Sequence, residues 1–186
     1  MVNRNRLSQN NKGYSLVELI IVIAIMAALT GTVVFSISLI MSSDAKGCAH
    51  SLVSALADTK VNAMGREGAY LELKRDSDGN IWCTQYVNKG GTWNISGQAQ
   101  KIGTRRTFIS FFDATSEVTN GGGTELTEDA GPLFISFDRS SGSYRDSGSG
   151  PSGVTYKYYA GFEIIGGSKD YLVTLHKLTG KTEINS

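Results

Sequence analysis

KGYSLVELIIVIAIMAALTGTVVFSISLIMSS, residues 12–43, carries the strongest signal in this 186-residue chain. From Leu19 to Ser43 run 25 consecutive uncharged residues. As a helix rising about 1.5 Å per residue they span about 37 Å, more than the roughly 30 Å hydrocarbon core of a bilayer. Leu, Ile, Val and Phe fill 13 of the 23 positions from Leu19 to Met41. Each favours insertion by about 0.3–0.6 kcal/mol, so together they outweigh one acidic residue costing about 2.5–3.5 kcal/mol. That residue is Glu18, at the apolar edge, and no basic side chain follows it within a helical turn.

The residues before Glu18 suggest the source of a positive partner. Cleavage between Gly13 and Tyr14 would create an α-amino group four residues from Glu18, near enough for compensation within or between chains. Such a cut leaves the apolar helix intact. An ordinary secretory signal differs, with an apolar core of about 7–15 residues removed at a small-residue site downstream. Here a basic, Asn-rich leader with Arg4, Arg6 and Lys12 precedes a much longer core.

At these positions, Lys12-Gly13-Tyr14-Ser15-Leu16-Val17-Glu18-Leu19 and the apolar run after them, the chain resembles the class III leader of type IV pilins and type II secretion pseudopilins. The resemblance implies that a prepilin peptidase cuts after Gly13 and methylates the new N-terminus, Tyr14. It further implies that Glu18, the fifth mature residue, neutralises the N-terminal amine of a neighbouring subunit during filament assembly. The implied partners are that peptidase, other pilin or pseudopilin subunits, an inner-membrane assembly platform, and membrane lipid before assembly. The implied location is the bacterial cytoplasmic membrane, crossed once, and then an extracellular or periplasmic filament. The family usually has Phe where Tyr14 stands. Many members carry a proline late in the membrane segment, where this chain offers only Gly31 as a weak point in the helix.

The 143 residues after Ser43 suffice for one domain with its own core. Formal net charge is +1, and removal of residues 1–13 leaves 15 basic against 17 acidic side chains. That balance argues against nucleic acid as a general partner. Cys48 and Cys83 are too few for a disulfide scaffold but could form one bridge in an exported domain. The alternative makes Cys48 a small apolar helix residue and Cys83 a strand residue.

Beyond Ser43 the pattern becomes one-sided. Cys48, Leu52 and Leu56, and Ala49, Val53 and Ala57, recur four apart, and Ala63 and Met64 continue the stripe. Lys46, Asp58, Lys60 and Arg66 lie off it, the signature of an amphipathic helix. A spine helix follows, apolar all round first and one-sided afterwards, ending near Gly65 and Gly68. The alternative is a break at Ser42-Ser43-Asp44, where Ser or Asp could cap a second helix.

From Ala69 the apolar period becomes two. Leu71 and Leu73, a turn at Asp78-Gly79, and Ile81–Val87 read as a hairpin. Asp76, Asp78 and Asn80 imitate a calcium loop, but glycine stands fourth rather than sixth and the twelfth place holds Val87. Short strands are expected near 92–96 and 106–112, then at 133–138, 154–165, 171–178 and 182–184. Asn120–Asp129, glycine-rich and acidic, reads as an exposed loop and Ser147–Gly153 as a flexible one. No Lys-Ser/Thr follows the glycines, which argues against a phosphate cradle. The predicted class is α+β, a spine helix on a mostly antiparallel β domain. Its divisions are leader 1–13, membrane or filament-core helix 14–43, amphipathic helix 44–67 and β domain 68–186.

The C-terminal half carries a second resemblance. Ile135-Ser136-Phe137-Asp138 with Ser141-Gly142, and Tyr171–Leu175 leading to Thr179-Gly180-Lys181, are similar to the H-type minor pseudopilins and their minor-pilin relatives. It implies a pilin fold and a role near the filament tip, as an initiating or adapting subunit. A major pilin of the same filament class, or a monomeric anchored binding domain, are the alternatives.

No catalytic, cofactor or metal arrangement is legible. His50 and His176 lack partners at ligand or nucleophile spacing, and no serine sits in a G-x-S-x-G setting. The chain reads as a non-enzyme. Tyr156 and Tyr158 share a face by alternation and are expected in the core, leaving Tyr159 as the exposed aromatic, where stacking on single-stranded DNA is the only nucleic-acid mode to consider.

Overall fold

The computed structural model describes residues 14–186. The leader, with Arg4, Arg6, Lys12 and the cut expected after Gly13, lies outside the described residues. The chain divides into two compact units, one reaching to Ser36 and one spanning Ile37–Ser186. Among the described residues one α-helix, α1 (Leu16–Gly65), is followed by twelve strands paired antiparallel, so the α+β class holds.

In the first unit, α1 is apolar and unburied: Leu19, Ile20, Ile21, Ile23, Ile25, Met26 and Leu29 are all exposed. The helix is long and apolar enough to cross a membrane. Helical geometry continues through Gly31 and through Ser42-Ser43-Asp44, so the alternative of two capped helices is not what the chain adopts. Thr30 and Ser42 hydroxyls donate to the carbonyls four residues back, which removes them as competitors for the helix.

In the second unit, α1 buries Ala45, Cys48, Ala49, Leu52, Ala55, Leu56, Thr59 and Ala63. The four-apart stripe was legible, but its centre is rotated: Ala57 and Met64 are exposed, while Ala45, Ala55 and Thr59 are buried. Small residues let the backbone of α1 approach the sheet, and Thr59 satisfies its buried hydroxyl on the Ala55 carbonyl at 2.6 Å.

The first sheet has the order β3-β2-β1-β7, with β4 also on β2. Its strands are β1 (Ala69–Arg75), β2 (Ile81–Lys89), β3 (Thr92–Ile95), β4 (Gln100–Gly103) and β7 (Leu133–Ser136). The hairpin register pairs Leu71 with Gln85 and Leu73 with Cys83. Period-two alternation then sends Leu71, Leu73, Ile81, Cys83 and Val87 into the core beside α1. Gln85 Nε2 donates to the Ala55 carbonyl at 3.1 Å, tying sheet to helix. β4 was not anticipated, because four residues with one buried apolar side chain carry no period; the free half of the β2 edge recruits them.

The second sheet runs β12-β11-β10-β5-β6. It comprises β5 (Phe108–Asp113), β6 (Thr124–Glu125), β10 (Tyr159–Gly166), β11 (Lys169–His176) and β12 (Lys181–Asn185). The segment 120–129 is exposed as expected except for half-buried Gly123 and buried Leu126, but it is not all loop: Thr124–Glu125 pairs with β5. The segment before it folds over the sheet face that carries Gly161 and Glu163. A Cβ on Gly161 would lie 2.7 Å from Val118, and Gly121 N–H donates to the buried Glu163 carboxylate at 2.7 Å.

The expected single strand 154–165 is also corrected. It divides at Tyr158 into β9 (Thr155–Lys157), paired with β8 (Ser147–Ser149), and β10 in the second sheet. Residues 147–153 are therefore a strand and a 3-10 turn (Pro151–Gly153) rather than an unstructured loop. Changing sheets breaks the alternation, so Tyr156, Tyr158 and Tyr159 are all buried, Tyr159 at 5 % exposure. Tyr159 is not the exposed aromatic that simple alternation predicted.

Candidate functional site: the N-terminal segment and the exported domain

Helix α1 begins with a cap. Ser15 Oγ accepts the Glu18 N–H at 3.2 Å, and the Ser15 carbonyl accepts the Leu19 N–H at 3.1 Å. Ser15-Leu16-Val17-Glu18 has the S-x-x-E spacing of a capping box, a helix-start signal that the sequence itself carries. With Ser15 as the cap, Tyr14 stands before the helix and is 82 % exposed. Glu18 sits in the first turn, exposed, where a carboxylate also complements the positive end of the helix dipole. The Tyr14–Glu18 relation is thus not a regular i, i+4 pair along one helix, and the α-amino group of a chain cut after Gly13 would belong to a non-helical residue.

Cys48 and Cys83 both face the core as free, buried thiols, so the bridge that could have formed is not formed in this structure. Burial pushes each thiol up to about 12, Cys48 despite the nearby Arg75 charge. Gly103 on β4 lies over this region: a Cβ there would come within 3.3 Å of Cys48 Sγ and 2.8 Å of Ile81 Cδ1.

The imitation calcium loop is closed by its own donors. Asp76 accepts from Asn80 N–H at 2.7 Å and from Trp82 Nε1 at 2.6 Å, with Asn80 Nδ2 at 3.3 Å. Partial desolvation raises the Asp76 carboxyl, but these bonds outweigh it and hold the group below its ordinary value. Among the described residues no three His, Cys, Asp or Glu side chains converge into a metal-sized group. His50 is exposed on α1, and His176 Nε2 lies 3.2 Å from Glu183.

Arg75 was not singled out from sequence, yet it ties three segments together. Its Nε donates to the Leu126 carbonyl at 2.7 Å, Nη1 to Gly79 at 2.9 Å and Nη2 to Thr107 at 3.0 Å. No local pattern announces such a residue, since all three acceptors are backbone carbonyls and two are distant in sequence.

Comparison with protein families finds the prokaryotic N-terminal methylation motif at residues 8–34. No curated protein and no solved structure matches the chain. The motif is the class III prepilin leader and agrees with the type IV pilin and pseudopilin resemblance. It belongs to processed structural subunits rather than enzymes, and it implies a prepilin peptidase and other pilins as partners. With the exposed apolar half of α1, it fits a membrane-anchored precursor that is later assembled.

Proposed function

We propose that the protein is a minor, tip-associated or initiating subunit of a type IV pilus or type II secretion-like filament, cut after Gly13, N-methylated at Tyr14 and assembled through α1. The observation that carries this reading is the coincidence of the methylation motif at 8–34 with the unburied apolar length of α1 that begins directly after Ser15. Insertion holds the precursor in the membrane. Cleavage creates a cation, and extraction into a filament exchanges lipid for neighbouring helices.

The Ser15 cap sharpens the role of Glu18. Its backbone N–H is already satisfied by Ser15 Oγ, and Tyr14 stands off the helix. The position of Tyr14 off the helix favours pairing of the Glu18 carboxylate with the Tyr14 amine of a neighbouring chain. In a low-dielectric filament core such a pair repays little beyond its own desolvation, but a lone carboxylate there would be strongly penalised. The pair therefore sets register, because only one axial stagger satisfies both charges. The minor assignment draws its support from the similarity of residues 135–142 and 171–181 to H-type pseudopilins.

The test is the intact mass and N-terminal peptide of the protein recovered from envelope and sheared surface fractions. A chain that starts at methylated Tyr14, abundant in the envelope and scarce in the sheared fraction, is the expected result. Dominance of the sheared fraction would make it a major subunit, and an N-terminus at Met1 would overturn the filament reading.

A further inference from the structure

We propose that the cleft between Trp93 on β3, the turn after β7 and Tyr156 on β9 binds an acidic saccharide, a pyranose ring bearing one carboxylate. The cleft has a volume of about 210 Å³, and its walls include Trp93, Tyr156, Arg139, Arg145, Asp138 and Glu67. It belongs wholly to the second unit and requires neither processing nor assembly of the chain.

The aromatic wall is preorganised. Tyr70, 4 % exposed, stacks on Tyr86 at 4.7 Å between centroids and meets Trp93 at 5.1 Å and Tyr156 at 5.5 Å. Gly68 presses on the far edge of the indole, where a Cβ would come to 3.2 Å from Cη2. Trp93 is thus half-buried and held from two sides, which lowers the ordering cost of offering a flat apolar surface to the C–H face of a sugar.

The polar groups select the class of ligand. Arg145 lies with its guanidinium carbon 5.6 Å from the Tyr156 ring centre, oriented by the ring face. Neither Arg139 nor Arg145 makes a side-chain hydrogen bond or ion pair among the described residues, so both forks are open for bidentate capture of a carboxylate. The carboxylates beside them are fixed by other donors. Asp138 Oδ1 takes all four bonds from the backbone N–H and hydroxyl groups of Ser140 and Ser141, and Glu67 Oε2 accepts Gly91 N–H at 3.0 Å. Their remaining lone pairs suit vicinal hydroxyls. Two fixed negative groups repel a polyphosphate strand but tolerate a single carboxylate held by the arginines, which favours the sugar acid over nucleic acid.

The experiment is saturation-transfer NMR on the full chain in detergent micelles, with sodium glucuronate as probe and glucose and an oligo-thymidylate as comparisons. Transfer to the glucuronate ring protons is expected. R145Q should weaken binding by about tenfold or more, and glucose should bind weaker than glucuronate by a similar factor, as loss of a charge-assisted bidentate contact requires. W93A should abolish transfer. R145Q lies at an exposed position, so an unchanged thermal midpoint separates lost binding from lost fold, and this variant decides the outcome if W93A does not fold. Absence of saturable glucuronate binding up to about 20 mM, well above the millimolar Kd range, overturns the proposal. So does equal binding of glucose, insensitivity to R145Q, or displacement of glucuronate by the oligonucleotide.

Discussion

Glu18 is an exposed first-turn residue whose carboxylate makes no hydrogen bond or ion pair among the described residues, which leaves it open to a cationic partner. E18A is expected to insert and to be processed like the parent, since removing one charge at the apolar edge favours insertion, by less than the roughly 2.5–3.5 kcal/mol that a charge costs at the membrane centre. Incorporation should fail, read as normal mature mass in the membrane and a sheared-fraction share that drops well below the already small share of the parent. Wild-type incorporation of E18A would remove the register role. Arg75 gives the complementary case inside the domain, because replacement strands three carbonyls around a part-buried cation site. R75M is expected to destabilise the domain by about 2–4 kcal/mol, measured by denaturant unfolding, because hydrogen bonds to a charged donor contribute more than neutral ones. R75K should recover only a fraction, since an ammonium cannot span three divergent acceptors.

Elements in this domain are seated by glycines that no propensity scale would mark. The β10–β11 turn rests on α1: a Cβ on Gly166 would strike the Met41 carbonyl oxygen, and one on Gly167, at φ 65°, the Ser38 carbonyl oxygen. Lys60 performs a similar task further along, donating from Nζ to the Thr179 carbonyl at 2.7 Å, while Gly180 and Gly142 stack their turns against each other and the helix. G166V should therefore cost about 2–3 kcal/mol through overpacking of backbone against backbone. G47A is the opposite control: nothing lies within 4 Å of its added Cβ, and α1 should gain about 0.5–1 kcal/mol from better helix propensity. Both are read from thermal or denaturant midpoints. The sequence showed that turns occur at 166–169 and 179–181, because Gly-Gly-Ser-Lys and Thr-Gly-Lys carry turn chemistry. It did not show which turns would touch the helix, because that depends on where two sheets come to rest.

Across the whole domain, ionisation bounds the range of stability from both sides. Hydrogen bonds from Ser140 and Ser141 hold Asp138 well below its ordinary 3.8, and those from Lys181 and His176 lower Glu183. Carboxyls depressed in the fold contribute stability that is present above their unfolded values and is lost as pH falls through them toward the folded ones. Burial raises Cys48, Cys83, Tyr70 and Tyr159 to about 12, from 9.0 for the thiols and 10.0 for the phenols. Their contribution is complete below the unfolded values and disappears as pH rises through the folded ones. The thermal midpoint should hold level from about pH 5 to 8 and fall on either side, with D138N blunting the acid limb. The same burial predicts that both cysteines resist alkylation at pH 8 in the native chain and take two alkyl groups after denaturation without reductant. Failure to label the denatured chain would show a bridge.

The sequence by itself determined the spine helix, its apolar and one-sided halves, the hairpin at 69–89, the pairing of the strands on either side of Gly166-Gly167, and the N-terminal methylation motif. Each of these is written in short-range information: hydropathy along a helix, alternation along a strand, turn residues between them, and a fixed spacing around Gly13, Tyr14 and Glu18. Tertiary structure alone decided the rest. β4 and β6 exist because a neighbouring edge offers unpaired backbone groups, not because two to four residues prefer to be extended. Tyr159 is buried because the chain changes sheets at Tyr158, and the cleft beside Trp93 assembles residues 67–156 that have no relation in sequence. Local patterns report the interactions a residue makes with its own element. Edge pairing, glycine seats and convergent side chains depend on which distant surfaces meet, and only the packed domain supplies them.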